Sequence, residues 1–226
     1  MITNILDVEC GDSLLKKALT HPSYTKENNL DVMDNYERLE FFGDAVLKLY
    51  SSKMLIKKYP DYDEGKLSKI RSILVSDATI ANIAAEIELD KLIILGDAEE
   101  KQSGRSRESN IACSFEAVLG AYYMDGKHAE VEEFLNYQLL KYVEDIDNHF
   151  EKYNAKAVLQ EYTQSINKEI PVYKTIGTTG PAHDLLFEVE VSYNGKVLAT
   201  ATGQSKKEAQ QNCAYKACLG LNIIIE

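Results

Sequence analysis

At 226 residues the chain has room for one large domain or two modest ones, and an apolar share of 45% allows a real core. The first residues lack a basic and apolar leader pattern, no apolar run approaches a membrane span, and the four cysteines form no CxxC pair. No signal peptide, membrane partner or disulfide framework is therefore expected, and the reading is a cytoplasmic chain with reduced thiols. The net charge of −11 argues in bulk against a nucleic-acid partner, yet residues 1–150 carry all of it and residues 151–226 sum to zero. What decides is where the basic residues sit, because clefts focus fields that a net charge averages away.

From Asp12 to about Asn148 the pattern is helical. The segment DSLLKKALTH opens with Asp12 as a candidate N-cap, and RLEFFGDAVLKLYSSKMLIKKY carries apolar residues at helical spacing up to Pro60. The stretch EGKLSKIRSILVSDATIANIAAEI continues in that style, with a break expected at Ser76 and Asp77. The polar GDAEEKQSGRSRESN reads as a loop, NIACSFEAVLGAYYMDG as a helix, and VEEFLNYQLLKYVEDI closes the region. The acidic run from Glu144 to Glu151 reads as a hinge. Beyond it AVLQEYTQSIN reads as a helix; VYKTIGTT, LLFEVEVSY and KVLATAT alternate as strands, and YNGK is a two-residue hairpin turn. A last amphipathic helix covers KKEAQQNCAYKACLGL. The expected class is α+β in two domains: an all-α domain over residues 1–150 and a small α-β-β-β-α unit over 151–226.

Within NYERLEFFGDAVL, Glu37, Glu40 and Asp44 recur at i, i+3 and i+7, which sets them along one helical face in apolar company. Glu116 repeats the situation on a second helix, flanked by Ala112, Phe115, Ala117, Val118 and Leu119. Like charges so placed destabilise one another unless a cation lies between them. Acidic side chains pointing inward from two packed helices are one way to hold a divalent metal, and oxygen-only ligands suit Mg²⁺ or Mn²⁺ better than zinc. Ordinary surface ion pairing is the alternative, and spacing alone leaves both open.

Four motifs follow in order: ALTHPSY (Ala18 to Tyr24), YERLEFFGDAVL (Tyr36 to Leu47), DEGKLSKIRSILVS (Asp63 to Ser76) and RESNIACSFEAVLGAYYMD (Arg107 to Asp125). Together they resemble the catalytic domain of bacterial ribonuclease III, and the C-terminal unit resembles that family's double-stranded RNA-binding domain. The resemblance implies a homodimeric, Mg²⁺-dependent endonuclease, with Mn²⁺ a possible substitute. It would cut both strands of duplex RNA in rRNA and other RNA processing, leaving 5′-phosphate and 3′-hydroxyl ends with short 3′ overhangs. On this resemblance the essential catalytic pair falls on Asp44 and Glu116, and the metal set on Glu40, Asp44 and Glu116. Glu37 and Glu64 match further acidic positions of a dimer cleft, Phe41 matches an aromatic that plugs into the partner subunit, and His21 reads as structural. One position departs: Cys113 stands where the family has an Asp, and a thiol is a poor ligand for a hard cation. Weakened catalysis is one reading of that change, and a small buried hydrophobe is another.

For RNA, Gln160, Glu161 and Gln164 form a stripe suited to 2′-hydroxyls in the wide minor groove of an A-form duplex. His183 lies in the strand-connecting GPAHD, and Lys206 and Lys207 open the last helix, where the dipole also favours phosphate. Arg105 and Arg107 are placed to approach phosphate beside the carboxylates. Three functions compete: a duplex-RNA endonuclease, a non-catalytic duplex-RNA binder, and a hydrolase of small phosphate esters. The presence of both Asp44 and Glu116 favours the first over the second, and an RNA-binding unit disfavours the third.

Overall fold

The protein is seen as a computed structural model that describes residues 2–180 and 185–224. The chain divides into two compact units, Met1–Asp147 and Asn148–Glu226. The first unit is helical: α1 (Asp12–Leu19), α2 (Pro22–Glu27), α3 (Glu37–Lys58), α4 (Glu64–Leu74), α5 (Asp77–Glu86), α6 (Asp97–Lys101), α7 (Glu108–Met124) and α8 (His128–Asn148). Among the described residues no helix is long and apolar enough to cross a membrane.

At the centre lies α7, where eleven of seventeen residues are buried, so the helix is apolar nearly all round. Phe115 and Tyr122 on α7 and Phe134 on α8 are fully enclosed, each stabilising the fold by about 1.5–3 kcal/mol through burial. The tightest approach is between α3 and α7. A Cβ on Gly43 would lie 1.7 Å from the Glu116 carbonyl oxygen, and one on Gly120 would lie 2.4 Å from the Leu39 carbonyl oxygen. Two glycines thus let the helices meet backbone to backbone.

The segment Thr20–Glu27 joins several elements at once. The Thr20 carbonyl accepts from Tyr36 N, and His21 N donates to the Ile94 carbonyl. His21 Nδ1 accepts from Ser23 N at 3.0 Å and so caps α2, while its ring packs edge-on against Tyr36. Ser23 Oγ accepts from Gly96 N, and the Glu27 carboxylate accepts from Asp97 N and Ala98 N at the start of α6. Burial holds the His21 pKa below its ordinary value, in keeping with a neutral ring that accepts at Nδ1.

Of three local expectations one changes, one is met and one is qualified. Asp12 is the first helical residue of α1, with Gly11 in the N-cap position. The break before α5 falls at Ser76, whose hydroxyl accepts from Thr79 N. The acidic run from Glu144 to Glu151 does contain the boundary between the two units, at Asp147 and Asn148, but most of it is helical: α8 runs to Asn148, and α9 (Phe150–Tyr153) follows after His149 alone. Val143 and Ile146 are buried, and Asp147 accepts from Tyr62 Oη and pairs with Lys66 Nζ at 3.2 Å, so the run's charges decorate a packed helix.

The second unit carries α9, α10 (Ala155–Asn167), β1 (Val172–Thr179), β2 (Leu186–Tyr193), β3 (Lys196–Gly203) and α11 (Lys206–Gly220). Its sheet is antiparallel in the order β1-β2-β3, with Val172 opposite Ser192 and Val189 opposite Ala201. Leu159, Val189, Val191, Ala209, Cys213 and Cys218 build the core where the helices cover one sheet face. Asn194 and Gly195 both take positive φ (+50° and +72°), as a two-residue turn with the strands' own twist requires.

Candidate active site and RNA-binding surface

The α3–α7 crossing brings the sequence's carboxylates together. Glu116 is half-buried, and its pKa is pushed up to about 8, first by burial and then by the charges of Asp44, Glu40 and Asp77. Asp77 is a residue that sequence reasoning noted only as a helix break; it opens α5, which packs against α7. Lys48, also passed over, acts in the opposite sense on Glu116 and forms an ion pair with Asp44 at 2.7 Å, one turn along α3. Cys113 sits on the same seam. Burial, a hydrogen bond to Glu40 and the nearby carboxylates push its thiol up to about 12, so it stays protonated at neutral pH.

The other acidic candidates are engaged locally. Glu37 Oε2 accepts from Asn35 Nδ2 at 3.2 Å, and Glu64 Oε1 accepts from Ser68 Oγ at 2.7 Å. Among the described residues no group of three His, Cys, Asp or Glu side chains converges as a ready-made metal cage. The chemistry of the donors nonetheless suits a hard divalent ion. Glu40, Asp44 and Glu116 offer only oxygen, and the charges of Asp44 and Glu40, which add to burial in raising the Glu116 pKa, are a repulsion that a cation would relieve.

Arg105 and Arg107 depart from expectation. Arg105 forks onto Glu100 and donates to the carbonyls of Asp90 and Lys91, while Arg107 pairs with Glu99 at 2.6 Å. Glu99 also accepts from Asn110 Nδ2, so the stretch expected to be a loop is a braced structure containing α6. Arg107 thus ties the residue before α7 to α6, and Arg105 ties its own segment to Glu100 and to the Asp90 and Lys91 carbonyls, so both guanidinium groups already have protein partners.

Phe41 projects from α3 with 83% of its surface exposed. It forms one wall of a largely apolar hollow of about 650 Å³, lined also by Leu14, Met33, Leu39, Phe42 and Met124 and by the polar Lys17, Asn35, Glu37 and Arg38. An exposed aromatic next to an apolar hollow is the composition of an interaction surface.

In the second unit Gln160, Glu161 and Gln164 all lie exposed on α10. Lys206 and Lys207 are exposed in the first turn of α11, which is fixed by a capping box: Ser205 Oγ accepts from Glu208 N, and Glu208 accepts from Gln204 N. Lys156, which the sequence reading did not single out, packs over the Tyr173 ring and donates to Gln210; burial and the charge of Lys207 hold its pKa down. His183 lies outside the described residues.

Comparison with known proteins gives the same division. Residues 11–143 match the ribonuclease-III-like family model, and residues 155–221 match the double-stranded RNA binding motif. The chain is 41% identical to Ribonuclease 3 of Streptococcus pneumoniae serotype 19F (strain G54) over 220 residues, covering 96% of this chain and 94% of that protein. Two solved structures of the ribonuclease III nuclease domain from Campylobacter jejuni are 36% identical to it. They cover 62% of this chain, with TM-scores of 0.52 and 0.51, and span 92% and 90% of those chains. One of them concerns a region involved in dimer formation of that nuclease domain. The chain therefore belongs to the ribonuclease III family, an endoribonuclease domain followed by a double-stranded RNA-binding domain.

Proposed function

We propose that this endoribonuclease works as a cytoplasmic, divalent-metal-dependent homodimer. It would cut duplex regions of rRNA and other structured RNA to 5′-phosphate and 3′-hydroxyl ends with short 3′ overhangs. The observation that carries the reading is that Glu40, Asp44 and Glu116 share the α3–α7 seam, with the Glu116 pKa raised by burial and then by its acidic neighbours. These three residues would hold the ion, Asp44 and Glu116 being the catalytic pair. Mg²⁺, or Mn²⁺ in its place, would when bound supply an activated water and offset charge on the leaving oxygen. The protein's own part is to fix the carboxylates: Gly43 and Gly120 set the spacing of the two helices, and the Glu99 brace fixes where α7 begins.

Duplex RNA would be held by the second unit. Gln160, Glu161 and Gln164 present hydrogen-bonding groups to 2′-hydroxyls, and Lys206 and Lys207 meet phosphate at a helix N-terminus. The exposed Phe41 and its neighbouring hollow support the dimer, each Phe41 filling the hollow of the other copy. All four cysteines are free thiols, as suits a reducing compartment. A weakened or purely binding protein is the second reading, favoured by one observation: the protonated Cys113 thiol beside Glu40 adds no negative ligand.

Incubation with long duplex RNA across Mg²⁺ and Mn²⁺ concentrations separates the two. Discrete short products that vanish with chelator support the nuclease, and a gel shift without cutting at any metal concentration supports the binder. Sedimentation at twice the chain mass is the result expected for the dimer.

A further inference from the structure

The three proposed ligands lie on one seam, and one of them is held by an ion pair. Lys48 lies one turn beyond Asp44 on α3, and its Nζ sits 2.7 Å from Asp44 Oδ2. The other paired lysines of that helix reach across to α8, Lys53 to Glu132 and Lys58 to Glu144. Lys48 instead turns back along its own helix to the acidic seam. An acid four residues before a lysine is the favourable order for such a pair. The two side chains keep 53% and 39% of their surface, so water can replace either partner at small cost.

We propose that Lys48 is a resident counter-cation of the metal site: it holds Asp44 in metal-free protein, and a divalent ion binds by taking Asp44 from it. The inference rests on the reading of Glu40, Asp44 and Glu116 as metal ligands. It gives Lys48 a positioning role, acting through Asp44. Without a cation the seam would face unrelieved repulsion among its carboxylates, and the ammonium relieves part of it at a cost in metal affinity. When the ion arrives, the half-exposed ammonium moves into water and Asp44 is released to join Glu40 and Glu116.

Mn²⁺ binding to the full-length protein without RNA, followed by titration calorimetry and by the resonance of free Mn²⁺, tests this. Lys48→Gln is expected to bind Mn²⁺ about two- to fivefold more tightly than wild type, the range set by the strength of an exposed ion pair. Lys48→Arg keeps the charge and should stay close to wild type. Lys53→Gln makes the same change in net charge on the same helix and should leave affinity unaltered. Equal or weaker binding by Lys48→Gln overturns the inference, as does equal tightening by Lys53→Gln. If wild type binds no Mn²⁺, or Glu116→Gln binds it as well as wild type, the metal reading itself fails and the Lys48 inference falls with it. Binding that Glu116→Gln loses and Lys48→Gln leaves unchanged sinks the Lys48 inference alone.

Discussion

The two polar surfaces of this protein are held in opposite ways. On the α3–α7 seam, Glu116 is packed among apolar residues, and burial followed by the charges of Asp44 and Glu40 raises its pKa to about 8. On the second unit, Gln160, Gln164, Lys206 and Lys207 stand in water, on helices fixed by an apolar core and a capping box. The seam is costly and exact in its spacing, whereas α10 and α11 carry their polar groups at little cost to folding. Substitutions on the seam should therefore move stability and chemistry together, and substitutions on the other surface should move binding alone.

The strongest test of that contrast is Glu116→Gln. Cleavage of duplex RNA is expected to fall by at least about a hundredfold while duplex binding is retained. Stability gives an independent readout. In metal-free protein Glu116 holds its proton more tightly folded than unfolded, so its contribution is whole at low pH and is lost as pH rises through about 8. Between about pH 5 and 9, wild type should lose about 1–2 kcal/mol relative to Glu116→Gln, allowing for the solvent-facing part of the side chain. Parallel denaturation curves across that range would remove the claim.

Next in size is Gly43→Ala. The added methyl meets the Glu116 carbonyl, a backbone atom that cannot swing aside, so urea unfolding should show a loss of about 1–3 kcal/mol or more. Cleavage should drop further than stability explains, because the seam itself is spread. On the other surface, Lys206→Ala with Lys207→Ala should leave melting unchanged and reduce the slope of log affinity against log salt by about 2. A change in cleavage rate at saturating RNA would break the separation between the two surfaces. The smallest effect is expected from Cys113→Asp, which adds a hard ligand where a neutral thiol stands. The Mg²⁺ concentration for half-maximal cleavage should fall about two- to tenfold; identical titrations would leave Cys113 as packing only.

Much of the fold was legible because each domain states its own periodicity. The helical spacing from Glu37 to Lys58 and the alternation from Val172 to Gly203 match α3 and the three strands. What escaped was set by tertiary distance. Lys48 and Asp77 look like ordinary surface charges in the sequence; only the crossing of α3, α5 and α7 brings them to Glu116. Arg105 and Arg107 looked free because Glu99 and Glu100 precede them in a stretch with no helical length to announce α6. The acidic run before Asn148 contains the unit boundary as read, yet its helical packing escaped for a related reason. Charge suggested solvent, while Val143 and Ile146, spaced one turn apart, were already the buried face of α8.

The Thr20–Glu27 segment bears on how this protein can be re-engineered. Within eight residues it ties Tyr36, caps α2 through His21, and caps the start of α6 through Ser23 and Glu27. New chain termini opened there would release three elements at once, including the one that braces the start of α7. Termini opened at Asn194 and Gly195 would cut a two-residue turn between strands already paired along their length. The motif that reads as a family signature is, in mechanical terms, a keystone, and circular permutation should treat it as uncuttable.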